Sequence, residues 1–218
     1  MPVKIKDLKF IDKWGESLEN QVLAYEQEPI RKGEIVFYGP SNFTRWKEKY
    51  GNTPLRDTIL GASGAQCCIN RGFGSSCSEH QLYYYHRMVR PLEPKVLVYS
   101  CHGNQEIFGY SDEECIELGL RVIAYAQNDF PELRVYLSSA NRRVGLTEKC
   151  IEERCAFNER LKKFAEETPN CTYVDAFNYA PLCSDDVFVS DGVHFNTEGY
   201  KHYADFWRET LKDELAKY

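Results

Sequence analysis

The chain of 218 residues is 43% hydrophobic, 14% aromatic and 28% charged, with 9 Pro and 14 Gly. This composition excludes a disordered, collagen-like or staple-dependent chain and suits one packed domain over residues 1–218. The formal net charge of −6 offers no overall basic field for a polyanion, so no nucleic-acid partner is expected. No apolar run reaches the length of a membrane span, and charges interrupt the segment from Met1 to Glu16 where a signal peptide needs its apolar stretch, so the expectation is a soluble, cytoplasmic protein without a membrane partner.

Taken in chain order, the first β-branched and aromatic run is Ile35 to Tyr38, followed by the turn Gly39-Pro40-Ser41-Asn42. A second run, Cys67 to Asn70, leads into Arg71-Gly72-Phe73-Gly74, and Ser78 with Gln81 then opens a helical pattern carrying Leu82, Tyr85 and Val89. The third run, Val96 to Tyr99, ends in His102-Gly103-Asn104-Gln105. Ser111 with Glu114 forms the signature of a capping box ahead of Cys115, Leu118, Val122 and Tyr125. Runs four and five are Leu133 to Leu137 and Cys171 to Val174, and the last helix places Tyr200, Ala204, Trp207, Leu211 and Leu215 on one stripe. Near-continuous apolar strands alternating with helices predict an α/β fold whose parallel sheet is covered on both faces.

In such a sheet ligands bind beyond the carboxyl ends of the strands, so the loops after the strands carry the expected chemistry. Acyl transfer needs a nucleophile, a base, a group that orients the base, and donors for the developing oxyanion. Ser41 stands at a strand-to-helix turn, where its hydroxyl can clear the sheet and its N–H can point along the start of a helix. Asp191 and His194 are close enough in one turn for the carboxylate to accept from Nδ1–H and leave Nε2 facing a hydroxyl.

These blocks resemble the SGNH (GDSL-type) hydrolase superfamily of esterases and lipases. The likeness rests on Ile35 to Ser41, Ile69 to Gly74, His102-Gly103-Asn104 and Asp191-Gly192-Val193-His194, in the family's order over most of the chain. Pro40 replaces the family's Asp before the nucleophile. At the third block a register of Gly103 to Glu106 would make Gln105 the amide, whereas spacing from Pro94-Lys95 favours Asn104. The resemblance implies a three-layer α/β/α sandwich, flavodoxin-like, with a five-stranded parallel sheet. It further implies catalysis by Ser41, Asp191 and His194, an oxyanion hole of Ser41, Gly72 and Asn104, and no metal or cofactor. The expected partner is a small-molecule or carbohydrate ester with a short acyl group. Alternatives are a lipase, lysophospholipase or thioesterase acting on longer chains, and an inactive carbohydrate-binding module on the same fold.

Other residues are expected to be structural. His80, His86 and His202 fall in helical patterns and are expected at the surface or in grooves, while His102 is a candidate for the pocket wall. Cys101 and His102 are adjacent at a strand end and point opposite ways, which argues against a Cys/His nucleophile. The nine cysteines lack a C-x-x-C pair, so reduced, mostly packed thiols are expected rather than a disulfide framework or zinc site. Phe43 to Trp46, Tyr83 to Tyr85 and Tyr179 to Pro181 offer aromatic and arginine surface for a sugar or acyl chain.

Overall fold

A computed structural model describes residues 15–218; the N-terminal stretch used in the signal-peptide argument lies mostly outside the described residues. Five strands, β1 (Ile35–Gly39), β2 (Cys68–Gly72), β3 (Val96–Tyr99), β4 (Arg134–Ser138) and β5 (Cys171–Val174), form one sheet in the order β2-β1-β3-β4-β5. Every pairing is parallel, and the order is the flavodoxin-like one. The predicted strands agree with the observed ones to within two residues at either end.

Alternation along the strands explains the two covered faces. Val36, Tyr38, Leu97, Tyr99, Val135 and Leu137 enter one core, with α1 (Gly15–Glu26), α4 (Ser78–Met88), α5 (Asp112–Asp129) and α6 (Glu148–Glu167). Ile35, Phe37, Val96 and Val98 enter the other, beneath α2 (Ser41–Thr44), α3 (Leu55–Thr58), α7 (Thr197–Thr210) and α8 (Lys212–Leu215). The stripe Tyr200, Ala204, Trp207, Leu211 and Leu215 is buried throughout, and Trp207 meets Phe37 edge-on at 5.5 Å.

Local signals act as read at α5, where Ser111 Oγ accepts from Glu114 N at 3.2 Å and Glu114 returns the bond to Ser111 N at 2.9 Å. At α4 the reading is off by one residue. Cys77 is the cap, and its N–H donates to His80 Nδ1 at 3.1 Å. His80 is buried against Phe108 rather than lying at the surface, and burial pushes its pKa down to about 4. All nine cysteines are free thiols, five of them buried, with Cys101 in the core beside Cys115. Among the described residues no helix is long and apolar enough to cross a membrane.

Candidate active site

The carboxyl ends of β1, β2 and β3 and the loop before α7 converge on Ser41. Two flanking elements hold the Ser41 turn in place. Tyr200 of α7 donates to Asn42 O at 2.7 Å, and Asn70 Nδ2 of β2 donates to Phe43 O at 2.7 Å. α2 is a single turn, too short to build a sizeable macrodipole, so what it offers is backbone N–H groups. Among the described residues the N–H of Ser41 has no hydrogen-bond acceptor. Pro40, at the cap of α2, packs its ring against Gly103. A Cβ on Gly103 would stand 2.9 Å from Pro40 Cγ, so proline and glycine fit each other across the two loops.

Three side chains lie in one hydrogen-bonded line. Ser41 Oγ is 2.8 Å from His194 Nε2, and His194 Nδ1 is 2.8 Å from Asp191 Oδ2. Asp191 Oδ1 accepts from the backbone N–H groups of Val193 and His194, each at 2.9 Å, so a single turn orients both members of the pair. Arg45, noted in the sequence as substrate-facing surface, instead reaches Asp191 Oδ2 at 3.2 Å. Partial burial disfavours the ionised carboxylate, but the backbone donors and the imidazole outweigh it and hold the Asp191 pKa at about 2. Burial lowers the His194 pKa, Asp191 opposes that shift, and the Arg45 charge adds to it; the net direction is down. A neutral imidazole with an ionised partner is the state a proton acceptor needs.

The three residues expected in the oxyanion hole separate on inspection. Ser41 and Asn104 line one cavity of about 270 Å³, with Pro40, His102, Arg154 and Val193 among its other walls. Asn104 Nδ2 also donates to Ser76 O at 2.8 Å, which ties its loop to the one after β2. Gln105, the alternative amide, borders the same cavity but is buried and engaged on both sides, accepting from Gly103 N at 3.0 Å and donating to Asp112 at 3.1 Å.

Gly72 corrects the expectation. Its N–H donates to Asn70 Oδ1 at 2.7 Å and is not free for a substrate. Its smallness serves packing instead, because a Cβ there would lie 2.1 Å from the Thr44 nitrogen and 2.4 Å from the Phe43 carbonyl carbon. Further along the same loop, Gly74 N is taken by Gln21 and Ser76 N by Phe73 O, whereas Ser75 N has no acceptor among the described residues. Ser75 sits in the left-handed region at φ 65°, unusual for a serine. No residue type in the run from Gly72 to Ser76 signals this. A larger cavity of about 390 Å³, lined by Trp46, Leu55 and Ile69 among others, includes none of Ser41, Asn104 or His102.

No family model matches the chain, and no curated protein matches it in sequence. Solved structures match its architecture. A protein named as an acylhydrolase from Bacteroides fragilis superposes with a TM-score of 0.69 at 18% identity, over 96% of this chain and 99% of that one. A GDSL-like lipase from Bacteroides thetaiotaomicron gives 0.68 at 16% identity over 91% and 97%. A carbohydrate esterase of family 3 from Talaromyces cellulolyticus gives 0.64 at 14% identity over 85% and 99%. At these identities the likeness is one of fold, and it agrees with the strand order found above: the chain has the three-layer α/β/α fold of the SGNH (GDSL-type) hydrolases.

Proposed function

We propose that the protein is a serine ester hydrolase, one SGNH-type domain in which Ser41 is the nucleophile, His194 the general base and Asp191 the group that orients and stabilises the imidazole. The observation that carries this reading is the unbroken line from Ser41 Oγ through His194 to Asp191, both links at 2.8 Å, at the wall of a cavity. Ser41 Oγ attacks the ester carbonyl carbon while its proton passes to His194 Nε2. Asp191 stays ionised and balances the imidazolium charge. The carbonyl oxygen becomes an oxyanion facing the Ser41 N–H and the Asn104 amide, with the Ser75 N–H as third donor in place of Gly72. Collapse releases the alcohol, which takes the proton from His194, and a water activated by the same base then frees the acid.

The cavity is small and its walls include several charged and polar side chains, which supports a short acyl group such as acetyl, on a carbohydrate or other small alcohol. The carbohydrate esterase among the fold relatives supports the same substrate class. Nine free thiols suit a reducing compartment, the cytoplasm.

Labelling with a fluorophosphonate tests the nucleophile. The wild type is expected to gain one covalent adduct, mapped to Ser41, and Ser41→Ala to gain none and lose ester hydrolysis with its melting temperature nearly unchanged. Hydrolysis above a tenth of wild type in Ser41→Ala refutes the assignment.

A further inference from the structure

The cavity beside Ser41 has a cationic end that the mechanism does not use. Arg154 comes from α6 and Arg143 from the loop after β4, and both line the cavity together with Arg142. Arg142 is committed to the fold, since its Nε donates to Phe177 O at 2.7 Å and its guanidinium lies 4.4 Å over the Phe177 ring. Arg143 and Arg154 form no ion pair or hydrogen bond with any described residue. The two other arginines nearby are partnered, Arg142 by Phe177 O and Arg45 by Asp191. Arg154 is half-buried. Burial lowers its basicity, Asp112 opposes that, and the charge of Arg143 adds to it. Arg143 is exposed, so the cost falls on Arg154, a partly desolvated guanidinium with a like charge beside it and no ion pair of its own.

A buried histidine borders the same space. His102 is more than nine-tenths buried and lines the cavity, and its Nε2 has no hydrogen-bond partner in the protein. Its ring lies edge-on to Phe157 at 5.0 Å. Glu106 is the one carboxylate on the wall. It is exposed and within electrostatic range of Arg154, but makes no ion pair with it. In a chain with a net charge of −6, this local concentration of unpaired positive charge runs against the overall field.

We propose that Arg154 and Arg143 form an oxyanion-binding subsite next to Ser41, and that the ester hydrolysed carries a carboxylate or phosphate group on its alcohol portion. The inference rests on the esterase reading above. With a short acyl group held at Ser41 and Asn104, the alcohol portion is the part of the substrate left to reach the arginines. Two planar guanidinium forks suit a carboxylate or phosphate, with oxygens enough to accept from both.

Three acetate esters that differ at one position test this: methyl 4-acetoxybenzoate, which is neutral, 4-acetoxybenzoate and 4-acetoxyphenyl phosphate. The wild type is expected to show kcat/KM at least about tenfold higher for one or both anionic esters than for the neutral one, the size of effect expected of a charge-assisted hydrogen bond. The anionic ester that gains more identifies carboxylate or phosphate as the preferred group. Arg154→Met should bring the anionic-to-neutral ratio close to one, and added salt should shrink it in the wild type. Equal rates on all three esters in the wild type, or an equal loss on all three in Arg154→Met, overturns the subsite while leaving the esterase reading intact. If no ester is cleaved, the esterase reading fails, and calorimetry still decides the subsite: 4-hydroxybenzoate or phenyl phosphate should bind the wild type and not Arg154→Met. Absence of binding to the wild type overturns it.

Discussion

Burial is the main force that lowers the His194 pKa, and Arg45 adds to it. Its guanidinium shares Asp191 Oδ2 with the imidazole, and its charge disfavours a second positive charge on the ring. The lowered His194 pKa means that kcat/KM should rise with pH through an inflection below the ordinary histidine value of about 6.5 and then level off. Arg45→Ala removes a cation from beside the imidazole, so imidazolium becomes easier to form and the inflection should move to higher pH. A pH–rate profile of the two proteins on one neutral ester checks this, and an unmoved or downward-moved inflection contradicts it. Asn104 and Gln105 form the second contrast at this scale. Asn104→Ala should lose about 2.7–4 kcal/mol of transition-state stabilisation, mainly in kcat, as expected for removing one oxyanion donor. Gln105→Ala should instead lower the melting temperature, because Gln105 braces Gly103 N and Asp112 from a buried position. Paired kinetics and thermal melts separate the two roles.

At the scale of elements, the end of β2 and the turn of α2 form one unit. Asn70 hydrogen-bonds the carbonyl of Phe43 with its amide nitrogen and the N–H of Gly72 with its oxygen, and Gly72 lies directly against the backbone of Phe43 and Thr44. A methyl group at position 72 has nowhere to go, since what it meets is main chain. Gly72→Ala should therefore destabilise by about 1–3 kcal/mol, the range for overpacking, and lower kcat more than tenfold by displacing the Ser41 turn. Gly74→Ala makes the matched control. There a Cβ meets only the side chains of Gln21 and Thr44, at 3.3 Å, and a shift of a few tenths of an ångström relieves the contact. Equal effects of the two substitutions on activity would show that Gly72 does not position the nucleophile turn.

Across the described residues, the sheet separates two main cores, with a smaller cluster of Cys77, Phe108, Tyr110 and Leu118 beside them, and leaves its carboxyl edge to the loops that carry the polar chemistry. The cavity at that edge is small and has charged walls, unlike an apolar tunnel for a hydrocarbon chain. Acetyl and butyryl esters should be cleaved faster than esters of twelve carbons or more, as a p-nitrophenyl ester series will read. A preference for the long chains, with activation at a lipid surface, would favour the lipase alternative instead.

What could be read along the chain follows from where each signal is encoded. The five strands and the α5 cap were legible because apolar runs and capping boxes are written in neighbouring residues. Asp191 and His194 could be paired in the same way, since one turn brings them together. The α4 cap slipped by one residue because cysteine seldom caps a helix, so Ser78 was the stronger local candidate. Only the folded chain shows what the consecutive amides of Asn104 and Gln105 bind, the first Ser76 O on the loop after β2 and the second Gly103 N and Asp112. The same holds for Gly72, whose N–H is spent on Asn70, for Ser75, whose backbone conformation leaves no mark in residue type, and for Arg45 on Asp191. Arg154 and His102 share a cavity although they come from different loops and helices. By itself the sequence determined the order of strands along the chain, the two-sided burial and the residue types available for acyl transfer, because periodicity and local turns encode these. The tertiary structure alone decided which N–H groups are free and which charges are unpaired, because a hydrogen bond or ion pair between distant segments exists only once the sheet has brought them together.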